Sequence, residues 1–251
     1  MPTEPILTTD GLTKRFGGFT AVKDLTLSVA KGSIHALIGP NGAGKTTVFN
    51  LLTKTLQPTS GRIVYNGEDI TRRRPYEVAR IGMVRSFQIS AVFPRLTVRE
   101  NVRLALQDKA GESYAFWRSG RSLARLDARV DELLELVDLS PYADDPAVRL
   151  PYGRKRALEI ATTIALEPNL LLLDEPMAGL SREDIQRVAD LIRRLSVDRT
   201  ILMVEHNLSV VADLSDRITV LTRGQILAEG SYAEVSRVPA VQEAYLGGGH
   251  A

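Results

Sequence analysis

The stretch GPNGAGKTT, residues 39–47, combines glycines with a lysine and two threonines. It fits the pattern G-x-x-x-x-G-K-[ST], in which backbone N–H groups of a glycine-rich loop converge on phosphate oxygens. Lys45 supplies a cation for the terminal phosphates, and the Thr46 hydroxyl is an oxygen ligand suited to Mg²⁺. The stretch therefore predicts a nucleotide-binding loop. The predicted contacts are Gly39, Pro40, Asn41, Gly42, Ala43, Gly44, Lys45, Thr46 and Thr47.

Two adjacent carboxylates, Asp174 and Glu175, follow the apolar run LLLL. Such a run is typical of a strand buried on both faces, and ligands bind at the carboxyl edge of a parallel sheet. We expect Asp174 to hold Mg²⁺, directly or through water, and Glu175 to polarise the water that attacks the phosphate. The pair predicts hydrolysis in addition to binding.

Two further polar residues stand where a strand-like run meets a loop. Gln88 follows MVRSF, and His206 follows ILMVE. Because both would lie at the same sheet edge, we expect Gln88 and His206 to belong to the same site, beside the terminal phosphate. The predicted catalytic residues are Glu175, His206, Gln88 and Lys45, and the predicted metal ligands are Thr46, Gln88 and Asp174.

The elements that position these residues alternate along the chain. Residues 5–38 give three β-rich segments, and the third runs directly into the glycine-rich stretch, which a helical pattern follows. The segment SGRIVYNGEDI predicts a hairpin with Asn66 and Gly67 in its turn. Later, the strand-like runs NLLLLDEP and TILMVEH alternate with helical patterns, and RITVLTRGQILAEG predicts a last hairpin. This order predicts an α/β fold, namely a P-loop NTPase core with a mostly parallel sheet and an N-terminal antiparallel β arm.

A helical region interrupts this alternation. From Thr97 to Val137 the pattern becomes helical, with a polar insert between two amphipathic segments. We predict a single domain over residues 1–251, with a core at about 1–91 and 151–251 and a helical lobe at about 92–150.

Bulk composition excludes several classes of protein. Among 251 residues, 32 Lys and Arg face 30 Asp and Glu, which is too balanced to predict nucleic-acid binding from charge alone. The absence of cysteine excludes disulfides and thiolate chemistry, and three histidines are too few for a metal cluster. The N-terminus lacks the pattern of a signal peptide, and the longest apolar run falls short of the ~20 residues needed to cross a bilayer.

The stretch LPYGRKRALEIA, residues 150–161, begins a helical pattern with three cations, Arg154, Lys155 and Arg156. A helix N-terminus carries unpaired N–H groups and a partial positive charge, so a basic first turn should be repelled there. The stretch predicts that an anion binds at this helix start, and that the repulsion is uncompensated until it does.

Taken in order, these motifs resemble those of the nucleotide-binding subunit of an ABC transporter, over essentially the whole chain. The resemblance rests on residues 39–47, Gln88, residues 150–154, residues 170–175, the segment AGLS at 178–181, and His206. It implies a Mg²⁺-dependent ATPase in which two subunits pair head to tail around two ATP molecules. The phosphate held by the partner's loop would be the missing anion. The residues implied to contact it in trans are Pro151, Tyr152, Gly153 and Arg154, and Phe16 is implied to stack on adenine.

The trans segment departs from the usual family pattern Leu-Ser-Gly-Gly-Gln. Pro151 replaces the serine, Tyr152 the first glycine and Arg154 the glutamine, so that only Gly153 of these four is retained. A proline is tolerated at a helix start, but a phosphate donor is lost with the serine hydroxyl. Arg154 or Lys155 would be the substitute. A homodimer and a heterodimer with unequal sites both remain open.

Several segments resemble, more narrowly, the ATPase subunits of branched-chain amino-acid uptake systems and of related urea and amide transporters. They are SFQISAVFPRLTVRENV, the insert near residues 110–120, VEHNLSVV, SDRITVLTRGQILAEG and the ending EAYLG. The implied partners are a second ATPase subunit, transmembrane permease subunits docked on the helical lobe and, indirectly, a periplasmic or extracellular substrate-binding protein. This resemblance implies a peripheral position on the cytoplasmic face of the membrane and no nucleic-acid partner.

Three other functions remain open at this stage. The ATPase of a lipopolysaccharide-type exporter is very similar. A soluble ABC ATPase acting on nucleic acid or ribosomes finds slight support in Arg72, Arg73 and Arg74. A regulatory subunit that binds ATP but hydrolyses it poorly would explain the altered trans segment.

Overall fold

A computed structural model of the chain describes residues 4–86, 92–109 and 120–246. Within these ranges the strands are β1 (Pro5–Phe16), β2 (Phe19–Leu25), β3 (Ser28–Ala30), β4 (Ile34–Ile38), β5 (Ser60–Tyr65), β6 (Glu68–Asp69), β7 (Met83–Arg85), β8 (Leu170–Asp174), β9 (Thr200–Val204), β10 (Arg217–Thr222) and β11 (Gln225–Gly230). The helices are α1 (Lys45–Leu52), α2 (Pro75–Arg80), α3 (Val98–Lys109), α4 (Gly120–Leu136), α5 (Tyr152–Ile164), α6 (Arg182–Ser196), α7 (Leu208–Leu214), α8 (Tyr232–Val235) and α9 (Pro239–Leu246).

The main sheet has the strand order β11-β10-β4-β9-β8-β7. Its neighbouring pairs from β10 to β7 are parallel, and β11 pairs with β10 antiparallel as the predicted last hairpin. The strands β4 and β9 are buried throughout, which matches their apolar sequences. The carboxyl ends of β4, β8 and β9 therefore meet at one edge, as predicted.

A second, antiparallel sheet forms the predicted N-terminal arm. Its order is β2-β1-β5-β6, with β3 pairing along another part of β1. The hairpin of β5 and β6 turns at Asn66 and Gly67, which both have positive φ. The prediction of three strands over residues 5–38 was wrong, because the second β-rich segment forms two strands, β2 and β3. Asp24 has a φ of 52° near the end of β2, and the chain leaves the ladder before β3 begins.

The main sheet is buried on both faces. Along β8, Leu171 and Leu173 belong to one apolar cluster with α5 and α6, whereas Leu170 and Leu172 belong to a second cluster with α1 and the arm. The prediction that LLLL forms a strand buried on both faces is confirmed. A strand held this firmly fixes the position of the carboxylates at its end.

The helical region packs onto the first of these clusters. Buried apolar residues of α3 and α4 belong to the cluster that contains one face of the main sheet. Thr97 and Glu100 form a reciprocal capping box at the start of α3, with N···O distances of 2.7 and 3.1 Å. Among the described residues, no helix is both long and apolar enough to cross a bilayer.

Candidate nucleotide site at the carboxyl edge of the main sheet

The glycine-rich loop lies between β4 and α1, as predicted. Gly39 has a φ of 151°, and a Cβ there would lie 2.2 Å from the carbonyl oxygen of Leu221. At Gly44, with a φ of 102°, a Cβ would lie 2.7 Å from the carbonyl oxygen of Ala21. These two positions require glycine because neighbouring backbone closes on the loop. Gly44 precedes α1 without a side-chain cap, so the first N–H groups of the helix remain available to an anion.

Lys45 is buried beneath this loop. The residue is 6% exposed, and its Nζ donates to the carbonyl oxygens of Gly39 at 2.7 Å and Pro40 at 3.0 Å. Burial lowers the pKa of Lys45, and the nearby carboxylates of Glu175 and Asp174 partly offset this shift. The glycine-rich loop therefore fixes the position of the Lys45 ammonium group, which is predicted to bind the terminal phosphates.

An open cleft of about 350 Å³ faces the loop. Residues 41–47 line this cleft together with Glu175 and His206. The structure therefore brings most of the predicted loop together with two of the predicted catalytic residues. Among the described residues, the cleft is lined by Phe19, Ala21, Asn41, Gly42, Ala43, Gly44, Lys45, Thr46, Thr47, Glu175 and His206.

Glu175 and His206 are in direct contact. Nε2 of His206 lies 2.5 Å from Oε1 of Glu175, and both side chains are roughly two-fifths exposed. The backbone of Glu175 is in the left-handed region, with a φ of 48°, and its N–H donates to the carbonyl of Val204 at 2.9 Å. A non-glycine residue in this conformation is strained, and such residues cluster at functional sites. The Glu175 side chain lines the cleft.

Sequence reasoning missed Glu205, the buried carboxylate that holds this edge together. Its Oε1 accepts from the N–H of Met177 at 2.8 Å, and its Oε2 accepts from those of His206 at 2.9 Å and Asn207 at 3.2 Å. Glu205 is 3% exposed and joins the loop after β8 to the loop after β9. A carboxylate inside the apolar run before His206 was the signal available in the sequence.

Arg85 is a second residue that sequence reasoning missed. It ends β7, is 6% exposed, and forms an ion pair with Asp174. Its Nη1 donates to Oδ1 of Asn50 on α1 at 2.6 Å. The signal in the sequence was a cation at the end of the otherwise apolar strand MVR. That this strand pairs with β8 could not be predicted from the sequence.

The oxygen donors at this edge suit Mg²⁺. A threonine hydroxyl (Thr46) and a carboxylate (Asp174) are hard ligands of the kind that Mg²⁺ prefers, and Mg²⁺ usually keeps water and substrate phosphates as its other ligands. No group of three or more His, Cys, Asp or Glu side chains that could hold a metal occurs within the described ranges. The third predicted ligand, Gln88, lies outside the described residues, so its position stays a prediction.

Phe19 lines the cleft, and Phe16 is its partner across the β1–β2 hairpin. The two residues are paired in register at the end of the β1–β2 hairpin, and both are exposed. Phe19 lines the cleft, whereas the ring of Phe16 lies 5.1 Å from Nζ of Lys14. Phe16 is not among the residues that line the cleft in the described part of the chain. Its predicted contact with adenine stays a prediction, and Phe19 is a second aromatic candidate.

The predicted trans segment lies at the start of α5. Pro151 precedes the helix, and the hydroxyl of Tyr152 donates to the carbonyl of Ala178 at 3.4 Å. Gly153 is buried, and a Cβ there would lie 2.4 Å from Cγ of Asp184. None of these residues, nor Arg154, lines the cleft in the described part of this chain. A trans role for them stays a prediction.

The expectation that this basic turn is uncompensated was wrong. Arg154 donates to the carbonyl oxygen of Asp138 at 2.8 Å, just beyond the C-terminus of α4, and stacks on the ring of Tyr142. Arg156 pairs with Glu159 at 3.0 Å. The contact of Arg154 is favourable because cations are stabilised near a helix C-terminus, and the charge of Arg156 is offset by the Glu159 carboxylate. The chain itself therefore stabilises two of the three charges before any phosphate arrives.

The C-terminal helix α9, which sequence reasoning did not predict, packs behind the glycine-rich loop. Burial raises the pKa of Tyr245 to about 12, and a hydrogen bond with the backbone of Gly39 partly offsets this rise. An open cavity of about 570 Å³ separates the loop from other residues of α9, among them Ala240 and Glu243.

A parallel strand, a glycine-rich loop and a helix, set opposite an acidic strand end, define a P-loop nucleotide-binding protein. The chain matches the family described as "ABC transporter" over residues 22–178. It also matches "Branched-chain amino acid ATP-binding cassette transporter" over residues 225–251. The chain belongs to the ABC transporter family, in which it is an ATP-binding subunit, and ATP hydrolysis is the general activity of such subunits.

Known proteins resemble the chain over nearly its whole length. The "High-affinity branched-chain amino acid transport ATP-binding protein BraF" of Pseudomonas aeruginosa is 40% identical, with 97% of this chain and 98% of that protein covered. The crystal structure of the ADP conformation of MJ1267, an ATP-binding cassette of an ABC transporter, is 30% identical, with a TM-score of 0.84 over 98% of this chain and 100% of that one. A dimeric structure of MJ0796, a bacterial ABC transporter cassette, is 25% identical, with a TM-score of 0.76 over 90% and 98%.

Proposed function

We propose that this chain is the Mg²⁺-dependent ATPase subunit that powers the uptake of branched-chain amino acids or related amides. Two matches support the substrate class. One is the similarity to BraF, and the other is the match of the C-terminal residues 225–251 to a family named for branched-chain amino acids. The predicted exporter and nucleic-acid functions have no comparable support.

The cleft supports in-line attack of water on the terminal phosphate of ATP. Lys45 and the N-terminus of α1 would stabilise the negative charge of the phosphates. Glu175 would hold and polarise the attacking water, and His206 would orient the Glu175 carboxylate through the 2.5 Å contact. The adenine would stack on Phe16 or Phe19.

The proposed metal site draws on three residues of the chain. Thr46 and Asp174 would hold Mg²⁺, directly or through water, and Gln88 would sense its presence. Bound Mg²⁺ would neutralise charge on the transferring phosphoryl group. Asp174 would hold the metal from the end of a strand that is buried on both faces, and this strand fixes the position of the carboxylate.

One chain supplies only part of the proposed site. The cleft is open, and the trans segment of residues 151–154 lies on a different part of the chain. We therefore propose a head-to-tail dimer with a second ATPase subunit, identical or different. In this assembly Gly153 and its neighbours would approach the phosphate bound by the partner. The dimeric structure of the MJ0796 cassette supports dimerisation as such.

The other proposed partners are transmembrane permease subunits, docked on the helical lobe, and indirectly a substrate-binding protein. The chain would work peripherally on the cytoplasmic face of the membrane. Reconstituting the complete assembly in proteoliposomes tests the substrate class. We expect leucine-loaded binding protein to stimulate ATP hydrolysis, and stimulation by urea but not by leucine would reject the amino-acid assignment.

The contact between Glu175 and His206, in the cleft that Lys45 also lines, is the observation that carries the hydrolytic function. We would measure Mg²⁺-dependent ATP hydrolysis over a range of protein concentrations, with Glu175→Gln as the inactive control. Activity per chain should rise with concentration because two copies complete each site. Brisk hydrolysis by Glu175→Gln would reject the assignment of the base. Binding of ATP with flat, negligible turnover would instead indicate that a different partner is required.

A further inference from the structure

Arg85 is a buried cation beside the proposed metal ligand Asp174. Its side chain is 6% exposed, and Nη2 forms an ion pair with Oδ2 of Asp174. On its other side Nη1 donates to Oδ1 of Asn50, and the guanidinium lies 5.5 Å from the centre of the Phe49 ring. Both of these further contacts come from α1. They hold the guanidinium in place independently of Asp174.

This arrangement joins the two elements that carry the proposed metal ligands. Asn50 lies one helical turn after Thr46 on α1, so the two residues share a face of the helix. Asp174 ends β8, and Arg85 ends the neighbouring strand β7. The buried charge of this pair is that of Arg85, because the side chain of Asp174 is 21% exposed. A buried charge needs a partner, and Arg85 and Asp174 neutralise each other within the chain.

We propose that Arg85 is a resident counter-cation that keeps free divalent cations off Asp174 until a nucleotide brings the metal. The inference rests on the proposed function of this site. A free divalent cation would meet a carboxylate whose charge is already neutralised by a fixed guanidinium. Mg²⁺ bound to ATP carries a net negative charge with it, and Lys45 and the N-terminus of α1 attract that complex. Arg85 is thus a positioning residue that favours the metal–nucleotide complex over the bare ion.

The test is the binding of Mn²⁺, added as MnCl₂, to the full nucleotide-free chain, with free Mn²⁺ measured by electron paramagnetic resonance. Arg85→Gln removes the charge and keeps a hydrogen-bond donor, Arg85→Met removes both, and Arg85→Lys keeps the charge. Arg62→Gln is the matched control, because Arg62 pairs with Asp69 at 2.8 Å on the exposed surface.

We expect the wild-type chain, Arg85→Lys and Arg62→Gln to bind Mn²⁺ weakly. Arg85→Gln and Arg85→Met should bind it about tenfold more tightly or better, because a neighbouring positive charge has been removed. Adding Asp174→Asn to either variant should abolish the gain. Unchanged or weaker binding by a folded Arg85→Gln would overturn the proposal, and so would a gain that persists without the Asp174 carboxylate. Tight binding of Mn²⁺ by the nucleotide-free wild type would overturn it without any variant.

A separate measurement distinguishes this proposal from the proposed function. Isothermal titration of the wild-type chain with ATP in EDTA reports nucleotide binding without metal. If ATP does not bind, the nucleotide function fails, whatever the Mn²⁺ result. If ATP binds and the Mn²⁺ affinities of wild type and Arg85→Gln are equal, the role of Arg85 fails and the nucleotide function stands.

Discussion

Nε2 of His206 lies 2.5 Å from Oε1 of Glu175, and this contact joins the residues that follow two adjacent parallel strands. The backbone N–H of Glu175 continues the ladder by donating to the carbonyl oxygen of Val204, and its φ of 48° lies in the left-handed region. The two side chains therefore meet because the strand ends meet. We propose that they act as one unit on whatever occupies the cleft.

Replacing Glu175 by Gln should lower the rate of ATP hydrolysis by about 10²-fold or more, because a general base contributes about 10²–10⁴-fold. Binding of ATP, measured by isothermal titration, should be retained. His206→Ala should also lower the rate, and the double variant should be no slower than Glu175→Gln alone, because residues that act as a unit are not additive. Additive losses in the double variant would show that the two side chains act separately.

Much of the fold could be predicted from the sequence because its signals are local. The run LLLL before Asp174 and the glycine pattern before Lys45 each specify a strand end or a loop by residue type alone. The α/β class, the antiparallel arm and two hairpins follow from such patterns and are confirmed. The helix α9 was missed because its short sequence carries little amphipathic pattern, and it is held by burial of Tyr245 near Gly39.

The residues that support the site could not be predicted in the same way. Arg85 and Glu205 each occur in a strand-like run, and their partners Asp174 and Met177 are distant in the sequence. Which strands are neighbours is set by the sheet order, and that order emerges only from packing of the whole domain. The sequence therefore predicted the candidate catalytic and metal-binding residues, but not Arg85 and Glu205, which support them through hydrogen bonds and an ion pair.

Replacing Glu205 by Ala should lower the free energy of unfolding by about 3 kcal/mol, because buried N–H donors would lose their acceptor. Glu205→Gln should cost less, since its amide oxygen still accepts from one side. Urea unfolding measures both values. Glu183→Ala, which removes an exposed carboxylate on α6, is the matched control and should change stability by no more than about 0.5 kcal/mol. Equal losses for the two alanine variants would contradict the role of Glu205.

Replacing Gly153 by Ala should destabilise the chain by about 1–3 kcal/mol through overpacking, because the new Cβ would meet the Asp184 carboxylate. Asp184→Ala removes that obstacle, so the double variant should lose less than the sum of the two single changes. Thermal or urea unfolding of the four proteins measures this coupling. Strict additivity would show that the retained glycine is not required by Asp184, which would leave the proposed trans contact as the reason for it.

Replacing Tyr245 by Phe should weaken ATP binding by about two- to tenfold, the range that corresponds to one hydrogen bond. The physical reason is that the hydroxyl contacts the backbone of Gly39, where the glycine-rich loop begins. KM for ATP should rise while kcat changes little, because the loop binds phosphate before and during the reaction. Tyr232→Phe on the exposed part of α8 is the control. A fall in kcat with unchanged KM would contradict a role in positioning the loop.

Acid should destabilise the chain through His35, in the centre of β4. This side chain is fully buried, and its Nε2 lies 2.8 Å from Oγ1 of Thr219. Burial lowers its pKa from 6.5 to about 4, with Glu229 opposing the shift and Arg217 adding to it. Because the unfolded chain binds this proton more readily, the contribution of neutral His35 is complete above pH 6.5 and is lost progressively as the pH falls toward 4.

The loss from this one group should reach about 2 kcal/mol at pH 5 and about 3 kcal/mol near pH 4. His35→Gln keeps a side chain that can hydrogen-bond to Thr219 but does not titrate. Urea unfolding of both proteins between pH 7 and pH 4 should give a shallower decline of the unfolding free energy for His35→Gln. The difference between the two curves isolates His35 from the many carboxylates that titrate in both. Parallel curves would mean that His35 is protonated as easily in the folded chain as in the unfolded one.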